Sequence, residues 1–319
     1  MDEYAKQIQN RLDRESKYRA NLFCRGYLIT DAKLENMDGY PFYGLWQRVN
    51  LGKYMIWAHP ETGVYFSSRE GRQAVIIGHV YNPETGEIRE EKILEQILDA
   101  AARGEEERNR IIDSLTGIFV LLLVDGQQIW ATQDCGGQKM LYFGKIRDHV
   151  VFTSIPQLAG DVFGLERDKG VERLLGTKGY FRGSGFLPGN LSPYRELTRL
   201  GANTSLVYAD DHFTISRIYP RSPRRECSSE EDQAQVMEEI FRLFSQNISL
   251  AIQKWPRVGL SLTGGVDSKT TFACAKGQYE HLFCFSYQSK ESEEQDAAAA
   301  KEICNAVGVI WLWSSHHIY

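Results

Sequence analysis

Two adjacent glycines, Gly264 and Gly265, constrain the fold of this 319-residue chain more than any other feature. They follow a short apolar run at residues 258–262, which predicts a buried strand, and precede residues 269–276, which predict the first turns of a helix. Because glycine has no Cβ, backbone amides at such a turn can approach an anion. The helix N-terminus adds unpaired N–H groups and a partial positive charge. The pattern predicts a phosphate-binding loop.

The polar side chains of this loop have the chemistry of a nucleotide site. Thr263 and Ser268 carry hydroxyls that can donate to phosphate oxygens. Asp267 would repel phosphate, so its presence predicts a cation such as Mg²⁺ beside the phosphates. Lys269 either adds charge at the phosphates or is an ordinary surface lysine.

The loop departs from the two commonest phosphate-binding patterns. A P-loop requires glycine directly before its lysine, where this chain has Ser268. A dinucleotide-binding fingerprint requires spaced glycines, whereas these two are adjacent. A plain glycine turn between a strand and a helix is the non-functional interpretation.

The loop Thr-Gly-Gly-Val-Asp-Ser at residues 263–268 resembles the Ser-Gly-Gly-x-Asp-Ser loop of the PP-loop ATP pyrophosphatases. Those enzymes split ATP to AMP and pyrophosphate, usually to adenylate a carboxylate or a carbonyl. The resemblance implies ATP and Mg²⁺ as cofactors, with Asp267 as the metal ligand. The residues that it places around the adenine are Leu262, Ser286 and Tyr287.

A second resemblance precedes the loop. Residues 111–142 contain Leu-Thr-Gly-Ile-Phe, then Gln-Asp, then Gly-Gln-Lys-Met-Leu-Tyr. They resemble the "Leu-x-Gly-x-Phe … Arg-Asp-x-x-Gly-x-Lys-Pro-Leu-Tyr" passage of glutamine-dependent asparagine synthetases. Residues 76–82 fall where that family has Asn-Gly-Glu-Ile-Tyr-Asn, and residues 200–220 resemble its closing passage. The family implies a four-layer αββα domain of the N-terminal-nucleophile (Ntn) hydrolase type, followed by an α/β PP-loop domain of the adenine nucleotide α-hydrolase type.

The first of these domains lacks the groups that the family's glutaminase reaction uses. The family's nucleophile is a cysteine directly after the initiator methionine, but Asp2 stands there and Cys24 is interior. The asparagine and glutamate that hold glutamine and its oxyanion are replaced by Ile77 and His79, and an isoleucine cannot donate to an oxyanion. We therefore expect a degenerate amidotransferase domain with no catalytic residues. β-Lactam synthetases and lasso-peptide cyclases of the same superfamily also lack the nucleophile, and their attacking amine lies within the substrate.

The predicted organisation has three parts. Residues 1–19 form an N-terminal helical arm, residues 20–220 the amidotransferase-like domain, and residues 221–319 the start of the ATP-binding domain. In the last part, a capping box at residues 228–231 predicts a helix to about residue 252. Its apolar stripe predicts a buried face composed of Val236, Ile240, Leu243, Phe244 and Ile248. Three acidic residues lie near the start of a later predicted helix. Because the helix dipole alone favours acids at this position, we assign them little catalytic importance. They are Glu293, Glu294 and Asp296.

The ATP-binding domain is expected to be incomplete. Residues 258–319 have room for only about three strands, since one βαβ unit takes about 30 residues. The family's later Ser-Gly-Glu-Gly-x-Asp-Glu loop and an acceptor pocket have no counterpart. We expect a fragment of a longer synthetase or a product that ends early. One edge of the strand at residues 258–262 would be unpaired and apolar. This predicts that the chain either self-associates through that edge as a homo-oligomer or is loosely packed beyond about residue 255.

Composition and net charge limit the kinds of partner and the cellular location that we expect for this chain. Six scattered cysteines without a Cys-x-x-Cys pair predict buried thiols and no zinc site. A net charge of −5 gives no bulk attraction for nucleic acid. No apolar run approaches the ~20 residues of a membrane span, and residues 1–18 lack the apolar core of a signal peptide. We expect a cytoplasmic protein with no nucleic-acid or membrane partner.

The resemblance implies an ATP-dependent amide-forming ligase. ATP adenylates a carboxylate, either aspartate or a peptide- or amino-acid-like acid; pyrophosphate leaves; and ammonia or an amine attacks. One alternative is a catalytically inactive ATP-binding or assembly module, which the lost nucleophile favours. A second is a PP-loop peptide or lactam cyclase that uses an internal amine. A tRNA-modifying PP-loop enzyme is disfavoured by the acidic balance and the absent cysteine pairs.

Overall fold

The computed structural model describes residues 3–35, 37–183, 185–221, 226–288 and 294–315. The chain forms two compact units. Unit 1 comprises Met1–Val80 and Arg89–Pro223, and unit 2 comprises Tyr81–Ile88 and Arg224–Tyr319. The segment Tyr81–Ile88 therefore belongs to unit 2, although the chain on both sides of it belongs to unit 1.

The helices of unit 1 are α1 (Glu3–Arg14), α2 (Glu90–Arg103), α3 (Glu105–Asp113), α4 (Pro156–Phe163), α5 (Lys169–Leu175) and α6 (Lys178–Arg182). Its strands are β1 (Tyr27–Thr30), β2 (Gln47–Leu51), β3 (Tyr54–Ala58), β4 (Val64–Arg69), β5 (Arg72–Tyr81, ending in unit 2), β6 (Thr116–Asp125), β7 (Gln128–Gln133), β8 (Tyr142–Ile146), β9 (His149–Thr153), β10 (Thr198–Arg199), β11 (Thr204–Ala209) and β12 (His212–Arg217).

The strands of unit 1 form two six-stranded antiparallel sheets. Their orders are β10-β8-β9-β1-β3-β2 and β12-β11-β7-β6-β5-β4. In the first sheet β1 pairs with both β3 and β9, with Leu28 opposite Trp57 and Thr153. Unit 1 is therefore a mixed α/β fold built on antiparallel sheets, as expected from the sequence.

The hydrophobic clusters of unit 1 show how its sheets and helices pack into layers. Alternate strand residues such as Ile29 and Ile56 of one sheet meet Ile77 and Leu122 of the other in a fully buried cluster. The opposite face of the second sheet packs against apolar residues of α2 and α3. The opposite face of the first sheet packs against α4. Helices therefore cover both outer faces of the paired sheets, in the order that the sequence led us to expect.

Two glycines let β5 and β6 approach each other closely. A Cβ on Gly78 would lie 2.1 Å from the carbonyl oxygen of Ile118, and a Cβ on Gly117 would lie 2.1 Å from that of His79. Both glycines also have positive φ, +117° and +150°. A side chain at either position would clash with the facing backbone and would strain its own backbone.

Unit 2 repeats strand and helix in alternation. After the long helix α7 (Glu230–Lys254), its elements are β13 (Val258–Ser261), α8 (Val266–Cys274), β14 (Leu282–Gln288), α9 (Glu294–Val307) and β15 (Ile310–Ser315). The strands form a parallel sheet in the order β13-β14-β15, with Leu260 opposite Cys284 and Cys284 opposite Trp311. Within the described residues β13 is an edge strand, as the sequence predicted. The self-association expected from that edge stays a prediction.

The predicted buried face of α7 is wrong at two of its five residues. Ile240 is 53% exposed and Phe244 is 43% exposed. Only the C-terminal half, through Ile248 and Ile252, packs on the cluster that fills unit 2. The periodic stripe correctly indicates an amphipathic helix, but it cannot tell how far along the helix the covering partner extends.

The predictions for the N-terminal arm and for the linker region can be compared with the structure only in part. The helix predicted in the N-terminal arm is present as α1, with Leu12 buried and Tyr4 exposed. Residues 222–225 of the boundary region, Asp2 and Glu293 lie outside the described residues. No described helix has the length and apolarity needed to cross a membrane.

We expect Gly117→Ala to destabilise unit 1 by about 2–5 kcal/mol, because left-handed strain and a backbone clash act together. Gly126→Ala is the matched control: Gly126 also has positive φ, +59°, but nothing lies within 4 Å of its Cβ position. That change should cost about 1 kcal/mol. Urea unfolding of both variants measures the difference, and equal losses would show that the close approach of β5 and β6 is not a constraint.

Candidate functional site

The two glycines lie where the sequence predicted, at the carboxyl edge of the parallel sheet. β13 ends at Ser261 and α8 begins at Val266, so residues 262–265 form the connection. The N–H of Leu262 donates to the carbonyl oxygen of Phe285 at 2.9 Å, which continues the sheet pairing by one residue. Ligands of open parallel sheets bind at this edge, so the location suits a nucleotide site.

A chain of side-chain hydrogen bonds fixes the start of the loop. The Ser286 hydroxyl, on a residue only 4% exposed, donates to the carbonyl oxygen of Leu262 at 2.7 Å. The same hydroxyl accepts from the indole Nε1–H of Trp311 at 3.0 Å. β15 therefore holds the loop in place through β14.

The three predicted adenine neighbours have different surroundings. The Leu262 side chain is fully buried in the core of unit 2, and the Ser286 hydroxyl is already hydrogen-bonded within the fold. Tyr287 is 66% exposed, and its ring stacks on Phe285 with centroids 6.1 Å apart. Only Tyr287 thus offers a free side-chain surface to a ligand, while Leu262 and Ser286 shape the loop from below. Their roles toward adenine stay predictions.

The loop hydroxyls bind each other. Thr263 Oγ1 and Ser268 Oγ lie 3.0 Å apart, and the N–H of Thr263 donates to Ser268 Oγ at 3.1 Å. The N–H of Gly265 donates to Thr263 Oγ1 at 3.1 Å. The loop is therefore closed by its own hydroxyls.

Asp267 occupies the first turn of α8, where its side chain is exposed. Among the residues that the structure describes, no three His, Cys, Asp or Glu side chains are grouped closely enough to hold a metal ion. Mg²⁺, however, commonly binds through one or two carboxylates together with substrate phosphates and water. The exposed Asp267 carboxylate beside the Gly-Gly loop fits that mode of binding.

Asp296 lies next to the loop, which the local sequence pattern did not indicate. One of its carboxylate oxygens lies 2.6 Å from the position that a Cβ on Gly264 would take. An acid attributed to helix-dipole matching at the start of α9 is thus brought against the loop. The parallel pairing of β13 with β14 explains the contact, because the segments that follow two parallel neighbours leave the sheet at the same edge.

The cysteines only partly match the prediction of buried thiols. Cys274, Cys284 and Cys304 are buried in unit 2. Burial, and to a smaller extent the neighbouring Cys304, raises the pKa of Cys284 to about 12. Such thiols stay protonated and unreactive. The prediction is wrong for the three cysteines that are exposed, which are Cys24, Cys135 and Cys227.

The residues compared with a glutaminase site lie in unit 1. The Cys24 thiol donates to Glu61 Oε2 at 3.4 Å. Partial desolvation, and to a smaller extent this carboxylate, raises the pKa of Cys24. That shift disfavours the nucleophilic thiolate. Ile77 points into the core between the sheets, and His79 Nδ1 lies 3.5 Å from Glu90 Oε1.

Comparisons with known proteins add one family match. Residues 239–318 match the family described as asparagine synthase, a segment that contains the Gly-Gly loop and most of unit 2. No curated protein sequence matches the chain significantly.

Two of the similar solved structures are an amidotransferase and a regulatory enzyme. The first is a glutamine phosphoribosylpyrophosphate amidotransferase from B. subtilis complexed with ADP and GMP, at 13% identity and a TM-score of 0.34. The match covers 94% of this chain but only 61% of that one. The second is the allosteric regulatory enzyme of purine biosynthesis, at 12% identity and a TM-score of 0.36, with 91% and 74% of the two chains covered. Similarity at this level carries no argument about function.

We expect Ser286→Ala to destabilise unit 2 by about 1–3 kcal/mol, because it leaves the Leu262 carbonyl and the Trp311 indole N–H without their partner. Ser261→Ala, at an exposed position on the neighbouring strand, is the control and should change stability by less than about 0.5 kcal/mol. Hydrogen exchange of the Leu262 amide should rise in the first variant only. Unchanged exchange there would mean that the chain of hydrogen bonds does not hold the loop.

Proposed function

We propose that unit 2 binds ATP with Mg²⁺ and that the protein acts as an asparagine-synthetase-like, ATP-dependent amide-forming ligase. The observation that carries this proposal is the Gly264–Gly265 loop between β13 and α8, within the segment that matches the asparagine synthase family. In this chemistry ATP supplies an AMP group to a carboxylate and pyrophosphate leaves. Ammonia or an amine then attacks the acyl adenylate, which forms the amide bond and releases AMP and a proton.

Each loop residue has a proposed task. The backbone amides at Gly264 and Gly265, with the N-terminus of α8, hold the phosphates that leave as pyrophosphate. Thr263 and Ser268 exchange their mutual hydrogen bond for bonds to phosphate oxygens. Asp267 binds Mg²⁺, which offsets its repulsion of the phosphates.

The base is proposed to lie over the exposed ring of Tyr287, which is an aromatic surface at the same edge of the sheet. Leu262 and Ser286 act beneath it by fixing the loop backbone. These assignments are supported by exposure and hydrogen bonding, with Tyr287 open to solvent and Ser286 bonded inward.

The partners follow from the same proposal. The acceptor is a carboxylate, either aspartate or a peptide- or amino-acid-like acid, and the donor is ammonia or an amine. The raised pKa of Cys24 and the burial of Ile77 support an inactive glutaminase site. They thereby favour free ammonia or an amine, including an amine within the substrate itself as in peptide or lactam cyclases. We place the reaction in the cytoplasm.

ATP binding tests the loop directly. Calorimetry should show ATP binding that is tighter with Mg²⁺ than without it. Asp267→Asn should weaken the Mg²⁺-dependent binding by about tenfold, or ~1.4 kcal/mol, because it removes a full charge at the cation. Without Mg²⁺ the same variant should bind ATP no more weakly, since a repulsive charge is gone.

Asp210→Asn is the matched control for this experiment. Asp210 is exposed in unit 1 at φ +48°, a conformation that asparagine tolerates. It should bind ATP like the unchanged protein. Equal ATP affinity with and without Mg²⁺ would remove Asp267 from the metal site, and no ATP binding at all would overturn the proposal.

Incubation with glutamine tests unit 1. We expect no release of glutamate above the background without protein, because Cys24 has a raised pKa and Ile77 faces the core. If glutamate does appear, Cys24→Ala and Cys227→Ala distinguish its source. Release that is lost only in Cys24→Ala would show that unit 1 has a working glutaminase.

A further inference from the structure

A pocket of about 300 Å³ in unit 1 has no part in the proposed reaction. It lies beside the loop that joins β7 to β8 and beside the end of β10. Met140, Leu200 and Ala202 give it an apolar wall. Arg199 is the one charged residue among the described residues that line it. The pocket therefore combines a single positive charge with an apolar surface.

The Arg199 guanidinium has no counter-charge. Arg199 is half-buried, and within the part of the chain that the structure describes its guanidinium pairs with no carboxylate and donates no hydrogen bond. The acid of the neighbouring loop, Asp134, is already engaged, because its carboxylate accepts from the N–H groups of residues 138 and 139 at 2.9 and 2.8 Å. Arginine stays protonated in proteins and carries five N–H donors. Its unused donors can therefore serve an anionic ligand.

Strand pairing shows where the Arg199 side chain projects. Arg199 lies directly opposite Tyr142 in the antiparallel pair of β10 and β8, so the two side chains are neighbours on one face of the sheet. The Tyr142 hydroxyl lies 3.8 Å from Sδ of Met140, which lines the pocket. Burial raises the pKa of Tyr142, and the positive charge of Arg199 acts against that rise, which indicates that the guanidinium is near this hydroxyl. The guanidinium is therefore on the side of the sheet from which Met140 faces the pocket.

We propose that this pocket binds a small organic acid with one carboxylate and an apolar body. The planar guanidinium of Arg199 donates two parallel N–H bonds to the carboxylate, and the apolar body packs against Met140, Leu200 and Ala202. A phosphate monoester fits less well, because it carries about two negative charges at neutral pH and the described lining has a single cation. All of these residues belong to unit 1, so the proposal is independent of ATP binding by unit 2.

Benzoate is the probe, and benzamide is the control compound because it has the same shape without the charge. Each compound is titrated into the full chain, and the backbone amide signals of Gly136 and Gly137, which line the pocket, are followed by nitrogen–proton NMR correlation spectra. Benzoate should shift these signals saturably and should bind about tenfold more tightly than benzamide. Phenyl phosphate should bind more weakly than benzoate, because its second charge has no partner in the described lining.

Three variants separate the local charge, the net charge and the space. Arg199→Gln should lower the affinity for benzoate about tenfold and leave that for benzamide unchanged; the melting temperature should stay the same, since the guanidinium bonds to no described residue. Arg173→Gln removes an exposed arginine elsewhere in unit 1 and should bind benzoate like the unchanged protein. Ala202→Phe fills the pocket from an exposed position and should abolish the shifts caused by both compounds.

Four results would overturn the proposal. The first is no saturable shift of the Gly136 and Gly137 signals with benzoate at millimolar concentration. The second is equal affinity for benzoate and benzamide in the unchanged protein, since the charge of Arg199 would then contribute nothing. The third is a loss of benzoate affinity in Arg173→Gln as large as that in Arg199→Gln, which would mean that only net charge matters. The fourth is tighter binding of phenyl phosphate than of benzoate, which would assign the pocket to phosphates.

Discussion

The parallel register of β13, β14 and β15 is the constraint on which the candidate site depends. Because neighbouring parallel strands end at the same edge, this register brings together segments that are distant in sequence. It places the Gly-Gly loop after β13, Tyr287 near the end of β14, and Asp296 at the start of α9. The Ser286 hydroxyl then fixes the loop by bonding Leu262 on one side and Trp311 on the other. A slip of one residue would turn Ser286 to the opposite face and break this chain.

Local features of the site were predictable from sequence, whereas those that depend on register were not. The strand, the glycines and the helix of the loop follow from an apolar run, a missing Cβ and a change of period, all within a few residues. The contact of Asp296 with Gly264 requires knowing which strands are neighbours. The bond from Trp311 to Ser286 requires the exact pairing of β14 with β15. Neither fact is contained in a local pattern.

In unit 1, too, local features could be predicted from the sequence, whereas features that depend on strand pairing could not. The helix α2 has an apolar stripe and a flanking glycine, Gly104, and both are local signals in the sequence. The bonds from the Gln133 side-chain amide to the carbonyl oxygens of Leu200 and Gly201 are not a local signal, since they join segments that are far apart in sequence. The proximity of Gly78 to Ile118 likewise depends on two strands that are far apart in sequence.

The two faces of the parallel sheet in unit 2 show why its amphipathic pattern is hard to interpret from sequence. Cys284 is paired with Trp311 on the face that joins the core cluster. Phe285 is paired with Leu312 on the opposite face, where Leu312 is exposed. Parallel strands usually carry apolar residues on both faces because helices cover both. Within the described residues, burial is therefore one-sided although the sequence is apolar on both sides. The hydrophobic stabilisation of unit 2 accordingly comes from the cluster around Cys284 and Cys304. The loop is attached to this cluster by the hydrogen bonds of Ser286 and by the bond from the Leu262 N–H to the carbonyl oxygen of Phe285.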